Sequence, residues 1–411
     1  MMVQYLRRRS SWLSHEFYIA TAGRTPKWYK RKKDHGKVAG CRIIPLSLLL
    51  GYVTFCHMKK PQSLARSRPS LRSIADACGI SYQTVSRIIN GKTDRHTPKT
   101  VALVEGTAAK MGYRKNLLAR GMLTGKSMTV GVMLPYYINR GFNTGILQGI
   151  QGELARHDYA ALIISVAGTK EDITHSHQLI ERRVDGVVFR PHPMGESDAY
   201  LHELMRHHIP MVSVVDIEQS LNIPLDFVGV DEETLGRTAA EYLLSLGHRR
   251  LGFTRIGDAR FDLPLNERYA AFVTAVESAG GKVVSTPRSQ SADFDAAAVE
   301  GMLAKRNRPT AVFCSVDDIA FQTIEVAKKL GLSVPGDLSV IGSANYETSR
   351  FTSPTLTTFD LQTEEIGRQA AQLLLRRISS GNVLRSTSRI HVAPEQIVRN
   401  SASRIGDLSV Y

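Results

Sequence analysis

Ser81-Tyr82-Gln83-Thr84-Val85-Ser86-Arg87 sets bulky polar side chains at the start of a helix whose other face is apolar, the arrangement by which a helix reads base edges. Just upstream, Leu71, Ile74, Ala75 and Cys78 recur at spacings of three and four, which predicts a short helix burying one stripe, with Ser70 as its N-cap. Gly79 ends that helix with a residue that accepts positive φ, and Ser81 is placed to cap the next, so two helices joined by a tight turn follow. In the second helix Val85, Ile88 and Ile89 point inward, leaving Tyr82, Gln83, Ser86 and Arg87 for a partner. A third helix takes Thr97 as cap and Pro98 as its first residue and stops at Gly112. Its Val101, Val104, Ala108 and Met111 complete a three-helix core. The same pattern describes a small helical subdomain with a solvated polar face.

Charge favours the first reading. The chain has 411 residues and a formal net charge of +15. From Met58 to Lys126 there are 14 Lys and Arg against 3 Asp and Glu, whereas from Ser127 onward the count is 28 against 33. Affinity for nucleic acid is therefore placed at the front of the chain, which argues against a generally adhesive basic protein.

With SYQTVSR, Ile88-Ile89-Asn90, the capped third helix and Gly112-Tyr113, the chain resembles the lactose-repressor (LacI/GalR) family of bacterial transcription regulators. The likeness runs on through Asn116-x-x-Ala119-Arg120, Val130-Gly131-Val132, Val228-Gly229-Val230-Asp231, Leu246-Gly247-His248-Arg249-Arg250, Pro335 to Gly342 and Leu356-Thr357-Thr358, and so covers residues 70 to 400. It implies an all-α helix-turn-helix DNA-binding headpiece at 58–114, a hinge at 115–127, and an α/β periplasmic-binding-protein-like core of two Rossmann-like lobes at 128–400, followed by a tail at 401–411. It also implies that Tyr82, Gln83 and Arg87 make the base contacts in the major groove, Arg87 being suited to guanine and Gln83 to an adenine or mixed edge. Ser81, Thr84, Ser86 and Thr97 suit phosphate oxygens; Asn90, Asn116 and Ala119 fall in the same DNA-binding set. In the family the hinge becomes helical on operator, where a paired leucine lever enters the minor groove; here that position is Met122. Neighbouring Gly121 disfavours helix by about 0.8 to 1 kcal/mol relative to Ala, and a plain flexible linker is the competing reading.

Beyond the hinge, short β-rich runs alternate with helical patterns, the signature of a parallel sheet flanked by helices. Strands are expected at 129–134, 160–166, 186–189, 210–215, 251–254, 310–314 and 338–341. Helices are expected at 145–157, 232–246, 268–279, 295–305, 317–330 and 363–378. By resemblance the effector binds between the lobes, with Arg268 as the ligand-binding arginine, Asp216 as a cleft carboxylate, and Asn139 and Phe142 lining the first lobe. Each has a plainer alternative: Arg268 as a surface residue in a helical first turn, Asp216 and Asn139 as turn formers. Two places depart from the family. Val316-Asp317 stands where an Asn-Asp pair is usual, and Ser343-Ala344-Asn345 where an aspartate is usual, which leaves Val316, Ala344 and Asn345 at positions that contact ligand. Lost polar partners disfavour an ordinary neutral sugar, and Asp317 reads better as a helix-start residue. The effector class expected from the resemblance is a sugar, sugar acid or sugar phosphate.

Enzymatic motifs are missing from the sequence: there is no phosphate-binding glycine loop, no His-Glu-x-x-His and no nucleophile elbow. His175-x-His177 and His207-His208 have no ligand companions at metal-binding spacing and read as solvated histidines. Cys41, Cys56, Cys78 and Cys314 lie far apart, which implies neither a disulfide framework nor a cofactor site and fits a reducing cytoplasm. Residues 1–57 fall outside the resemblance and carry 11 basic against 2 acidic residues. Their apolar run, Ile43 to Cys56, is shorter than the roughly 20 residues that span a bilayer. Three readings stand: a membrane tether or export signal, a DNA-tethering tail, or a translated upstream region preceding a true start at Met58, the last being preferred and such a segment being disordered or absent.

The expected protein is thus a cytoplasmic, homodimeric, effector-controlled regulator, a repressor acting on a near-palindromic operator, since one small headpiece buries too little surface for tight specific binding. The alternatives are a small-molecule binding protein without a DNA role and a sugar-modifying enzyme. No heptad zipper follows Arg399-Asn400.

Overall fold

The computed structural model describes residues 69–114, 125–135, 141–167, 169–190, 199–214, 225–254, 262–285, 295–381 and 386–406, together with strands β1 (Phe17–Ala20) and β2 (Lys27–Lys30), which pair antiparallel. The chain divides into two compact units, residues 1–115 and 116–411.

In the first unit, α1 (Leu71–Cys78), α2 (Tyr82–Ile89) and α3 (Pro98–Lys110) begin where the capping residues stand. Ser70 and Ser73 form a reciprocal capping box, Ser81 Oγ accepts from the Thr84 amide at 3.2 Å, and Thr97 Oγ1 accepts from the Thr100 amide at 3.3 Å. Gly79 adopts φ +65 and turns the chain between α1 and α2. Ile74, Ala75, Val85, Ile88, Val104 and Ala108 are buried together, so each helix contributes two residues to one small core.

The second unit holds two parallel sheets. The first orders its strands β4 (Ala160–Val166), β3 (Thr129–Pro135), β5 (Gly186–Phe189), β6 (Met211–Ser213), β7 (Asp226–Val230) and β13 (Arg389–Val392). The second orders β9 (Lys282–Ser285), β8 (Arg250–Thr254), β10 (Ala311–Cys314) and β11 (Ser339–Ile341). In each sheet the first strand of the lobe lies between the second and the third, so the winding direction reverses beside it, and a crevice opens there at the carboxyl ends of the strands. Strands β5, β7 and β10 are buried throughout, as strands covered on both faces must be.

Helices α4 (Gly141–Arg156), α5 (Asp172–Glu181) and α6 (Ala199–Arg206) follow β3, β4 and β5; α7 (Glu232–Ser245), α8 (Asp262–Ser278), α9 (Ala296–Leu303) and α10 (Asp317–Lys329) belong to the second lobe. The chain passes between lobes three times: from β7 into α7, from β12 (Thr358–Asp360) into α11 (Thr363–Ser379), which packs on the first lobe, and from β13 into β14 (Glu395–Ile397), which pairs antiparallel with β12. Arg377 of α11 grips both carboxylate oxygens of buried Asp226 on β7, which also accepts from the Ser388 amide at 2.7 Å. The expected strands at 160–166 and 186–189 are observed with those limits, and the other expected elements shift by a few residues at most, with two exceptions at helix starts: α4 begins at Gly141 and α8 at Asp262. Strands β7, β9, β12, β13 and β14 and helices α5 and α6 add to the segments singled out in the sequence.

Two features hold this unit together. Helix α4 lies so close to α11 that a Cβ on Gly149 would stand 1.9 Å from the Glu364 carbonyl oxygen, whereas one on Gly152 would meet nothing within 4 Å. His248, nearly fully buried, meets Thr310 Oγ1 at 2.9 Å, Ser339 Oγ at 3.1 Å and the Ser403 carbonyl oxygen at 3.1 Å, tying the carboxyl-terminal segment to β11; burial pushes its pKa below the ordinary 6.5.

Gly149→Ala is expected to cost about 2 kcal/mol or more in urea unfolding, while Gly152→Ala on the same helix is expected to be neutral or to gain up to about 1 kcal/mol. Because His248 in the folded protein binds its proton less readily than in the unfolded chain, its contribution is complete above the unfolded pKa of about 6.5 and is lost as pH falls below that value. The urea midpoint should drop between about pH 7.5 and 5.5, and His248→Gln should lessen the drop.

Candidate functional site

In the three-helix unit the amino-terminal half of α2 is the exposed face. Tyr82 is 53% exposed, Gln83 and Arg87 are also exposed, and Val85 and Ile88 turn inward. Ser81, Thr84 and Thr97 sit at helix starts, where Ser81 and Thr97 accept backbone amides through their hydroxyls. Asn90 donates from Nδ2 to the Ser86 carbonyl oxygen at 2.8 Å and so closes the end of α2 with the amide expected to face DNA. Asn116, Ala119 and Met122 lie outside the described residues.

In the second lobe the strand ends of β10 and β11 surround Arg268, which is 4% exposed. Its Nε donates to Glu232 Oε2 at 2.6 Å, and its Nη1 donates to the Ser315 carbonyl oxygen at 2.6 Å and to Ser343 Oγ at 3.1 Å. A buried cation is tolerable only with such compensation. The expected first-turn position of Arg268 is corrected by the structure: α8 begins six residues earlier, at Asp262, so the arginine stands in its second turn and packs inward beside the start of α7. Nothing in its geometry resembles a surface residue.

The neighbouring Asp317 begins α10 and is fully buried. It accepts from the Tyr346 amide at 2.8 Å, Ser349 Oγ at 2.6 Å and Thr358 Oγ1 at 2.5 Å, while burial pushes its carboxyl pKa up. Its acceptors are spent on holding the segment that follows β11. Asn345, at φ +47, donates to Asp360 Oδ2 at 3.0 Å and accepts from Arg399 Nη2 at 2.7 Å, so its side chain is likewise engaged within the lobe. Ala344, at φ +112, and Val316 are half-buried, each packed against the apolar core. Such a positive φ is costly for a residue with a Cβ and persists only where the surroundings enforce it.

In the first lobe, Phe142 lies in the first turn of α4 beneath Arg190, whose guanidinium carbon stands 4.7 Å from the ring centroid. Arg190 Nη1 donates to Asn143 Oδ1 at 2.6 Å. Asn143 is fully buried, and its Nδ2 has no hydrogen-bond partner. The lobes meet nearby, since a Cβ on Gly141 would stand 3.0 Å from Tyr346 Cδ1. Asn139 and Asp216 lie outside the described residues. Sequence reasoning missed Arg190, Asn143 and Glu232. For Arg190 the signal was legible, a charged residue directly after the apolar run Gly186 to Phe189; for Glu232 and Asn143 no local pattern distinguishes them from other helix-start polar residues.

Comparison with known proteins decides the family. A periplasmic binding protein-like domain is recognised over residues 240–402. The chain is 30% identical over 343 residues to the HTH-type transcriptional regulator DegA of Bacillus subtilis, an alignment covering 82% of this chain and 98% of that protein. It is 30% identical over 341 residues to the HTH-type transcriptional repressor CytR of Escherichia coli K12, covering 81% and 96%. The chain belongs to the LacI/GalR family of transcription regulators. The fold of this LacI/GalR chain is similar to that of a lac repressor dimer bound to operator and an anti-inducer, with TM-score 0.64 at 21% identity over 82% of this chain and 99% of that one. A CelR–cellobiose complex gives TM-score 0.58 at 24% identity over 81% and 100%.

Among the described residues no group of three or more His, Cys, Asp and Glu is arranged to hold a metal, although Glu203 stands 4.0 Å from His177 and 3.5 Å from His207. No described helix is long and apolar enough to cross a membrane. Cys78 and Cys314 are free thiols, and burial pushes Cys314 up to about 12, which keeps it protonated.

Asp317→Ala strips three donors of their acceptor and is expected to cost about 3 kcal/mol or more in urea unfolding. Asp318→Ala, one residue on, should cost less than about 1 kcal/mol.

Proposed function

We propose that this protein is a cytoplasmic, homodimeric repressor whose affinity for a near-palindromic operator is set by a small carbohydrate-related effector bound between the two lobes of residues 128–400. The observation that carries the DNA-binding half is the face of α2, where Tyr82, Gln83 and Arg87 stand exposed on a unit whose sequence is strongly basic. Those three side chains read base edges; Ser81, Thr84, Ser86 and Thr97 meet phosphate, with Asn90 shaping the end of the helix. Residues 58–114 form the headpiece and 115–127 a hinge that orders on operator, with Asn116 and Ala119 contacting DNA and Met122 as the minor-groove wedge.

The effector half rests on Arg268, a buried guanidinium at the carboxyl ends of β10 and β11. Phe142, Asn139 and Asp216 complete the polar and aromatic lining, Val316 and Ala344 are wall residues, and Asn345 holds the loop that carries Ala344. The protein acts by binding and conformational coupling, typically worth 1 to 3 kcal/mol, rather than by turnover.

The test begins with a duplex selected from a random pool by the wild-type protein. In fluorescence anisotropy Arg87→Ala should lose more than about 1 kcal/mol on that duplex and nearly nothing on competitor DNA; equal losses on both would make Arg87 a phosphate clamp. Arg268→Ala should bind the same duplex normally yet no longer respond to effector, and an undiminished response would remove Arg268 from the site.

A further inference from the structure

We propose that the effector is a small acid, and that its carboxylate or phosphate is held on the first-lobe wall of the cleft by Arg190 and Asn143 at the amino terminus of α4. This inference rests on the reading of the cleft as the effector site.

Arg190 is the first residue past β5, at the strand-order reversal where the crevice of a doubly wound sheet opens. Four consecutive buried residues precede it, so the chain delivers a half-buried guanidinium to the mouth of the crevice on a rigid strand. Its orientation is set from two sides, by the Phe142 ring 4.7 Å away and by Asn143 Oδ1, which accepts from Nη1 at 2.6 Å. A planar guanidinium held in one orientation presents a fork that matches the two oxygens of a carboxylate or phosphate.

Asn143 supplies the independent observation. Its side chain is fully buried and its Oδ1 is committed to Arg190, yet Nδ2 donates to nothing. Buried donors are satisfied with few exceptions, and an orphan at a crevice mouth calls for a ligand acceptor. An oxyanion seated beside Arg190 provides one. Both residues adjoin the first turn of α4, a helix of 16 residues whose first turn carries no carboxylate, so the positive end of its dipole acts in the same direction.

The opposite wall has a different character. Arg268 is neutralised by Glu232 and spends Nη1 on Ser315 and Ser343, so the pair offers a donor beside an acceptor and no net charge. That pattern suits hydroxyl groups. The acid end of the ligand therefore faces the first lobe and its hydroxylated body the second.

Thermal-shift measurements on the full chain would use three arms at equal concentration: aldonates and hexuronates, hexose and pentose phosphates, and the neutral parent sugars. At least one acid should raise Tm where its neutral parent does not, and the responding arm identifies carboxylate or phosphate. Calorimetry should then show Arg190→Gln weakening that acid by about tenfold or more, with Arg190→Lys restoring part of the loss and both variants keeping the ligand-free Tm. Should Arg190→Gln disturb the fold, Arg190→Lys serves as the second variant, keeping the charge but losing the fork and so weakening the acid less. A neutral parent that binds as tightly as its acid, undiminished acid affinity in Arg190→Gln, or no response to any acid overturns the proposal. Operator binding separates the two levels: release by a neutral sugar keeps the effector reading and discards the acid, whereas an Arg190-dependent acid that leaves operator affinity unchanged keeps the anion site and discards the effector reading.

Discussion

A guanidinium removed from water must be compensated in full, and in the second lobe four segments converge to do so. Arg268 on α8 meets Glu232 at the start of α7, the carbonyl of Ser315 after β10 and the hydroxyl of Ser343 after β11. Shifting any of these by a fraction of a residue would leave a buried charge short of a partner, at a cost of several kcal/mol. Asp317 applies the same logic with the opposite sign, drawing Tyr346, Ser349 and Thr358 around one carboxylate. Both charges are buried, and each is held by several segments at once.

The first lobe repeats the winding of the second but reaches its strength by other means. Its helices α4 and α11 approach to backbone contact at Gly149, and Arg377 joins α11 to β7 through Asp226. The polar groups at its crevice mouth are less completely satisfied than those across the cleft, as the orphaned Nδ2 of Asn143 shows. The first-lobe wall thus holds a buried donor in reserve.

Local signals account for what could be read in advance. Ser70, Gly79, Ser81, Thr97 and Pro98 mark helix limits through hydrogen bonds and φ preferences that reach only three or four residues, and each helix begins where such a residue stands. Strand β5 was legible because a covered strand reads as an unbroken apolar run, and β4 because it is rich in apolar and β-branched residues even though, at the sheet edge, Ala160, Ile163 and Ser165 are exposed. Strand β13, Arg389-Ile390-His391-Val392, was not, since it is a short edge strand with Arg389 and His391 exposed. Helix α8 begins six residues before its expected start at Arg268, and it takes in Pro264 because a proline within a first turn interrupts no hydrogen bond.

By itself the sequence determined the three capped helices, the exposed polar face of α2, the alternation that makes a doubly wound core and the candidacy of Arg268. The first three depend on periodicity and on interactions between near neighbours along the chain, and the candidacy of Arg268 on the family resemblance. Only the tertiary structure decided that Glu232 neutralises Arg268, that Asp317 and Asn345 are spent inside their own lobe, and that Arg190 and Asn143 stand together at the other wall. Those pairings join residues 36, 32, 54 and 47 positions apart, and which charge finds which partner over such distances is settled by how the strands and helices pack.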